Sequence, residues 1–410
     1  MYFNGLRYIF MKIRLGPGTI VAAAFVGPGT LVTCAIAGVK TGNSLLWVLV
    51  ISVGITIFFQ EMAARLVLAR GQDLSNALTS HSKSKVWKFL LSALIISSVF
   101  VGNSAYQAGN LAGSVAGLRE VLKIDGPSMW LPSMIVFPIG FLLAYGKYKL
   151  IERVLVFLVF LLGLSFVVTL FYLPVDYGQV LMGLIMPRLS QEDLVLMVSL
   201  VGTTVVPYNL FLHASGILEK WGPFAKLADV RTDLIISVVI GGIISMSIIV
   251  AFAAVSEGKE LSIASVGDLS GAFVSTLGEK ARFTFSLGVF LAGLTSSLTA
   301  PLAAAYAISS LFRTTEERGN AVFRIIWIVV LLTGLVVVLT GINPVVIIQS
   351  AQFANGLILP IIAILITIAL NKEKALEYRN STVSKVLAIG IILCMLVLGT
   401  KSIGGLLQLW

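Results

Sequence analysis

The sequence predicts an all-α integral membrane protein with eleven transmembrane helices, two of them discontinuous. Hydrophobic residues make up 58% of the 410 positions and charged residues only 12%, with a mean hydropathy of +1.00. Apolar runs long enough to cross about 30 Å of hydrocarbon recur along the chain, and no long polar segment separates them. Glycine and proline interrupt two of these runs. Together these observations exclude a soluble globular protein and favour a membrane domain with irregular backbone inside it.

The apolar runs define eleven segments within a single transmembrane domain, 1–410. The first 18 residues are short and basic and lack a small-residue cleavage site, so we expect no signal peptide. The segments lie at about 13–39, 45–69, 87–118, 128–146, 150–174, 191–218, 232–256, 283–312, 321–341, 344–370 and 384–400.

Positive charge is distributed unevenly between the predicted loops. An inside N-terminus places 20 Lys and Arg residues on the cytoplasmic side and 8 on the other, with Arg65 inside the second segment. Short cytoplasmic loops carry the excess of positive charge in membrane proteins. The bias therefore predicts a multi-pass protein of the cell membrane with a cytoplasmic N-terminus and an extracytoplasmic C-terminus.

The two interrupted runs occupy matching places in the chain. Segment one contains Gly27-Pro28-Gly29-Thr30, and segment six contains Val206-Pro207-Tyr208-Asn209 about half the chain later. Pairing segments one to five with six to ten gives repeats over about 13–174 and 191–370, and segment eleven (384–400) lies outside them. Because five is odd, the halves have opposite orientations, which predicts an inverted repeat.

A broken helix inside a membrane must have its backbone groups satisfied. Each break frees carbonyls at the end of one half-helix and N–H groups at the start of the next, and an unpaired group costs several kcal/mol. A small ion or solute can satisfy both. The paired breaks therefore predict a substrate site at the middle of the membrane, in a secondary transporter.

The chain resembles the Nramp family of proton-coupled divalent-metal transporters. The likeness begins at "RLGPGTIVAAAFVGPGTLVTCAIAGVKTGNSLLWVLV", continues through "FFQEMAARLVLARGQDLSNAL", and returns at "GTTVVPYNLFLHAS" and "SAQFANGLILPI". It covers about residues 13 to 370. The resemblance implies the LeuT-like inverted-repeat fold of the APC superfamily, first seen in amino-acid transporters, and implies divalent-metal transport by alternating access.

Several positions that bind metal in the family differ here. Gly27 and Thr30 stand where the family has the Asp and Asn of Asp-Pro-Gly-Asn, and Thr203 replaces an alanine. Val206-Pro207-Tyr208 stands where the family has Met-Pro-His, so the thioether that favours soft transition metals is absent. Gln352 matches a glutamine that contacts the metal in the family. The resemblance thus places the substrate site at these residues together with Pro28, Gly29 and Asn209.

The family's proton route is altered as well. Gln107 and Asn110 align with its acidic residues in segment three, and amides cannot titrate. His213 matches the second histidine of the family's segment six and is either a proton relay or a hydrogen-bonded structural residue. We take these three residues as a candidate coupling or polar pathway.

The altered site suits some substrates better than others. A bare Mn²⁺ or Fe²⁺ usually requires carboxylate, sulfur or imidazole ligands, whereas Mg²⁺ keeps several waters. Metal ligands would be at most Thr30, Thr203 and Gln352 with backbone carbonyls near Gly27 and Thr203. An amino-acid-like solute remains the alternative, because the N-termini near Thr30 and Asn209 can bind an anionic group.

The remaining features add constraints. Glu61 and Arg65 are four residues apart and predict an internal ion pair, and the run Asp229 to Asp233 indicates a solvated helix entrance. No nucleotide-binding loop is present and the basic residues form no patch with aromatics, so we expect no enzyme, no cofactor and no nucleic-acid partner. The expected partners are a small ion or small-molecule substrate and the lipid bilayer, and the oligomeric state stays open.

Overall fold

The computed structural model describes residues 16–80, 84–124, 129–256, 266–312, 321–342 and 359–406, and within them the chain is helical with no strand. The helices are α1 (Pro17–Phe25), α2 (Pro28–Thr41), α3 (Leu46–Arg70), α4 (Leu74–Thr79), α5 (Lys85–Leu122), α6 (Trp130–Tyr145), α7 (Tyr148–Phe171), α8 (Tyr177–Ile185), α9 (Leu194–Thr204), α10 (Pro207–Trp221), α11 (Leu227–Ser256), α12 (Val266–Ser309), α13 (Ala321–Leu339), α14 (Leu359–Asn371) and α15 (Thr382–Leu406).

Each of the eleven predicted segments overlaps a helix. Segment one is the pair α1 and α2, which bend by 54° at their junction, and segment six is the pair α9 and α10. Segment ten is described only from 359 onward. Within the described residues seven spans are long and apolar enough to cross a membrane, with α9 and α10 counted together as one, and the bent pair of α1 and α2 makes eight. The fold is therefore an all-α membrane fold with two discontinuous spans.

Two short helices were not predicted. α8 follows segment five, and the Asp176 carboxylate starts it by accepting hydrogen bonds from the N–H groups of Gly178 and Gln179. α4 lies between α3 and α5 and touches two other elements: Ser75 Oγ donates to the Ala307 carbonyl and Asn76 Nδ2 to the Ser310 carbonyl, both at 2.7 Å. Short runs of this length carry too few residues for a hydrophobic period to be recognised.

Close contact between α5 and α12 forms the centre of the bundle. A Cβ on Gly293 of α12 would lie 2.4 Å from Ser114 Oγ and 2.7 Å from the carbonyl oxygen of Asn110, both on α5. Only glycine allows such an approach, and small residues at helix contacts are typical of membrane bundles. The Asn110 and Ser114 side chains of α5 are thereby enclosed between helices rather than exposed to lipid.

The start of α1 is held by a carboxylate of α11. Asp233 is 1% exposed, and its two oxygens accept hydrogen bonds from the N–H groups of Gly16 at 2.5 Å and Gly18 at 2.7 Å. Four N–H groups at a helix start lack partners within the helix, so a carboxylate is favourable there. The expectation that this stretch is a solvated helix entrance is wrong for Asp233, because α1 covers it.

The predicted pair of Glu61 and Arg65 is confirmed. Arg65 Nε lies 2.9 Å from Glu61 Oε2, and the guanidinium also donates to the carbonyls of Tyr378 and Arg379 and to Asn380 Oδ1. Glu61 binds Arg231 of α11 as well, at 2.6 Å. A single buried guanidinium therefore joins α3 to the connection between α14 and α15.

Replacing Arg65 by Leu should destabilise the protein much more than replacing Arg231 by Leu. The Arg65 side chain is 7% exposed, and its loss removes donors from two carbonyls, from Asn380 Oδ1 and from the partly buried Glu61 carboxylate. We expect the free energy of unfolding to fall by about 3 kcal/mol or more. The Arg231 side chain is 49% exposed, so we expect its loss to lower the free energy of unfolding by about 1 kcal/mol or less. Thermal unfolding of both variants in one detergent measures the difference, and equal melting temperatures would contradict this role of Arg65.

Candidate functional site

The two helix breaks share one local design. Gly27 precedes α2 and Val206 precedes α10, each with extended backbone, and each is followed by a proline at the first helical position. Proline is tolerated there because the first N–H of a helix has no partner within it. Pro28 and Pro207 thus end one half-helix and begin the next without leaving an unpaired donor of their own.

Hydroxyl groups meet the carbonyls that the first break frees. Thr30 Oγ1 donates to the Phe25 carbonyl through a short hydrogen bond, and Tyr208 Oη donates to the Ala24 carbonyl at 3.1 Å. Ser296 Oγ of α12 lies 3.5 Å from the Ala23 carbonyl oxygen. The carbonyls of Ala24 and Phe25 therefore have hydrogen-bond donors. The distance from Ser296 Oγ is at the limit for a hydrogen bond, so the Ala23 carbonyl is satisfied only weakly.

The second break is satisfied less well. Thr30 Oγ1 also approaches the Thr203 carbonyl at 3.5 Å, and Thr56 Oγ1 of α3 approaches the Thr204 carbonyl at 3.3 Å. A hydroxyl has a single proton, and Thr30 shares its proton between two carbonyls. The Thr203 hydroxyl donates to the Leu200 carbonyl at 2.9 Å. Thr30 therefore bridges both breaks, and three carbonyls near them keep unused acceptor capacity.

Gly27 allows α12 to approach the first break closely. A Cβ at this position would lie 2.5 Å from Ser296 Oγ and 3.7 Å from Asn110 Oδ1. Any side chain at Gly27 must displace Ser296. The absence of a side chain at Gly27 therefore leaves the hydroxyl of α12 and the amide of α5 next to the first break.

A row of polar side chains runs along one face of α5. Asn103, Gln107, Asn110 and Ser114 are each at most 3% exposed and recur at helical spacing. Gln107 Nε2 donates to the Ser297 carbonyl at 3.2 Å. Each of these four side chains has at least one N or O atom with no partner among the described residues. The predicted pathway residues Gln107 and Asn110 thus belong to a longer, neutral row.

α10 carries two further buried polar side chains. Asn209 and His213 are both fully buried, one turn apart, and no polar atom of either side chain has a hydrogen-bond partner among the described residues. Buried polar atoms without partners are uncommon and indicate a site where a ligand, water or motion completes the structure. The His213 ring therefore has no hydrogen-bond partner within the described part of the chain, and its role stays a prediction.

The donor set around the breaks is neutral and consists of oxygen atoms. Within the described residues no group of three or more His, Cys, Asp or Glu side chains could hold a metal ion. Val206 presents a buried apolar side chain, and Pro28, Gly29 and Pro207 contribute backbone only. Gln352 lies outside the described residues. Backbone carbonyl and hydroxyl oxygens are ligands that hard cations prefer.

Two hydroxyl residues of the site were missed in the sequence. Ser296 belongs to the run "GLTSSLTA" at 293–300, where four hydroxyl side chains interrupt an apolar helix, and that clustering is a recognisable signal. Thr56 carries no such signal, because a single threonine that also donates to the Ser52 carbonyl of its own helix is ordinary in membrane helices.

Comparisons with known proteins agree with this architecture. Residues 18–404 match the family model described as "Natural resistance-associated macrophage protein-like". The divalent metal cation transporter MntH of Verminephrobacter eiseniae is 25% identical over 391 residues, which cover 91% of this chain and 84% of that protein.

Solved structures share the fold at lower identity. A manganese transporter of Eremococcus coleocola superposes with a TM-score of 0.80 at 18% identity, covering 96% of this chain and 86% of that one. MhsT in complex with L-phenylalanine superposes with a TM-score of 0.65 at 16% identity, covering 95% of this chain and 98% of that one. These likenesses identify the LeuT-like fold.

Replacing Tyr208 by Phe should lower the melting temperature. The phenyl ring keeps the edge-to-face contact with Tyr106, whose ring centre is 5.8 Å away, but the Ala24 carbonyl loses its donor. A buried carbonyl without a partner costs about 1–3 kcal/mol. Tyr145→Phe, at a position that is 77% exposed, is the matched control and should leave the melting temperature unchanged. Equal melting temperatures for the two variants would show that Tyr208 does not cap the break.

Proposed function

This chain belongs to the natural resistance-associated macrophage protein-like (Nramp) family, and we propose that it is a secondary transporter that moves a small inorganic cation across the membrane. The observation that carries the proposal is Thr30, whose single hydroxyl contacts a carbonyl of each broken span. Carbonyls that share one proton can be satisfied further by a cation placed between the two breaks. Relatives named as divalent metal transporters favour a divalent cation as the substrate.

Among divalent cations, the neutral oxygen donors favour a Mg²⁺-like ion over Mn²⁺ or Fe²⁺. Mg²⁺ binds oxygen ligands and retains several of its waters, so hydroxyls and carbonyls at Thr30 and Thr203 can contact a partly hydrated ion. Mn²⁺ and Fe²⁺ gain more from imidazole or sulfur ligands, and Val206 offers neither. Gln352 would add one carboxamide oxygen if it faces the same site.

The mechanism that we propose is alternating access around the two breaks. The halves at about 13–174 and 191–370 would rock against each other, with α1 and α10 opening on one side and α2 and α9 on the other. The charge bias predicts a cytoplasmic N-terminus, so α1 would open toward the cytoplasm. Since Gln107 and Asn110 cannot titrate, proton coupling through α5 is not part of this proposal. His213 of α10 stays the candidate proton relay.

A small organic solute such as an amino acid is the second candidate. Asn209 favours it, because a fully buried carboxamide with no partner among the described residues can bind a carboxylate or an amino group. The N-terminus of α10 adds a partial positive charge. MhsT, with the same fold, is a protein whose structure contains L-phenylalanine.

Ion uptake into proteoliposomes tests the first proposal. We expect uptake of Mg²⁺ above the rate of protein-free liposomes, and little uptake of Mn²⁺ at micromolar concentration, measured with ion-sensitive dyes trapped inside. Robust micromolar Mn²⁺ uptake would contradict the preference for Mg²⁺. Thermal shift with Mg²⁺ and with a panel of amino acids separates the two candidates: stabilisation by an amino acid but not by the ion favours the organic solute.

Replacing Thr30 by Val should reduce Mg²⁺ uptake about tenfold or more, in line with the loss of an oxygen that binds or orients at an ion site. Thr30→Ser keeps the hydroxyl and should retain most of the activity. Thr333→Val is the matched control, because Thr333 is half-buried on α13 and its hydroxyl donates to the Val329 carbonyl of its own helix. Equal uptake by Thr30→Val and Thr333→Val would remove Thr30 from the transport site.

A further inference from the structure

A cavity outside the transport site lies between the first half of α7 and the end of α10. Its volume is about 650 Å³, and it opens to the surface of the molecule. Three basic side chains line it: Lys149 and Arg153 from α7, and Lys220 from the last turn of α10. The positive-inside bias predicts that all three lie on the cytoplasmic side.

The cations of this cavity are only partly neutralised. Lys220 Nζ lies 2.5 Å from Glu152 Oε1, and the Glu152 side chain is 9% exposed, so this pair forms the inner wall. Lys149 and Arg153 are exposed and form no ion pair with any described residue. The rim of the cavity therefore keeps two positive charges. At the inner wall, the charge of Lys220 is neutralised by Glu152.

The other wall of the cavity is apolar. Val156, Phe157 and Phe160 follow the cations on the same face of α7, and the two phenyl rings are 58% and 63% exposed. The distance along the helix from Lys149 to Phe160 is about 16 Å, which is about half of the hydrocarbon thickness of a bilayer. The stripe thus leads from a charged helix start into the depth of one leaflet.

We propose that this cavity binds an anionic phospholipid, with the headgroup phosphate at Lys149 and Arg153 and one acyl chain along Phe157 and Phe160. Basic pockets between transmembrane helices on the cytoplasmic side are suited to anionic headgroups, and the positive end of the α7 dipole adds to the attraction. Inorganic phosphate alone would use the cations but not the phenyl rings. The lipid also contacts Lys220, on the helix that begins at the second break.

The test compares lipid binding to the full chain in detergent, with phosphatidylglycerol, phosphatidylcholine and inorganic phosphate as the three probes. We expect phosphatidylglycerol to raise the melting temperature and to remain bound in native mass spectrometry, and the other two probes to do neither. Lys149→Gln with Arg153→Gln should weaken phosphatidylglycerol binding about tenfold or more. Phe157→Ala with Phe160→Ala should weaken it as well.

The matched control removes two exposed basic residues elsewhere on the same predicted side, Arg324→Gln with Lys374→Gln. This variant should bind phosphatidylglycerol as the parent does. Equal weakening by the two charge variants would show that binding follows overall surface charge and would overturn the proposal. A third outcome is that inorganic phosphate binds, and that its binding depends on Lys149 and Arg153 but not on the phenyl rings. This result would show a site for free anions and would overturn the lipid proposal. Unchanged binding in the Lys149 and Arg153 variant would overturn it outright.

Discussion

A main-chain carbonyl that leaves a helix inside hydrocarbon must find a donor or a cation, and this constraint governs the centre of the molecule. Water is absent from the bilayer core, so each unsatisfied group costs several kcal/mol. Here the donors are hydroxyls: Thr30 and Tyr208 satisfy the carbonyls of Phe25 and Ala24, while those of Ala23, Thr203 and Thr204 receive only long contacts. The breaks are stable without a charged side chain and keep acceptors for a cation.

Charge is placed away from the breaks. Glu61, Arg65 and Arg231 form a network near the ends of α3 and α11, and Asp233 binds the first N–H groups of α1. Between these helix ends, the bundle contains buried amide and hydroxyl side chains. They lie where α5 and α12 approach each other at Gly293. The result is a neutral polar interior enclosed by helices, in which an ion would meet dipoles rather than opposite charges.

The sequence predicts the large features because they depend on long patterns. Hydropathy over about 20 residues locates the spans, and a proline between apolar residues marks each break. The partners of the freed carbonyls depend on contacts between distant segments: Ser296 reaches Ala23 from 273 residues away, and Tyr208 reaches Ala24 from 184. Asp233 was misread for the same reason, since nothing local shows that α1 covers it.

The central claim is that oxygen atoms of neutral groups at the two breaks form the ion site. The most direct measurement is crystallography of the full chain grown with Mg²⁺ or with micromolar Mn²⁺, using anomalous scattering to detect manganese. In crystals grown with Mg²⁺, the account predicts electron density for a hydrated ion between the Phe25 and Thr203 carbonyls. In crystals grown with micromolar Mn²⁺, it predicts no anomalous peak at that position. An anomalous Mn²⁺ peak at this position, or a Mg²⁺ site elsewhere in the bundle, would contradict it.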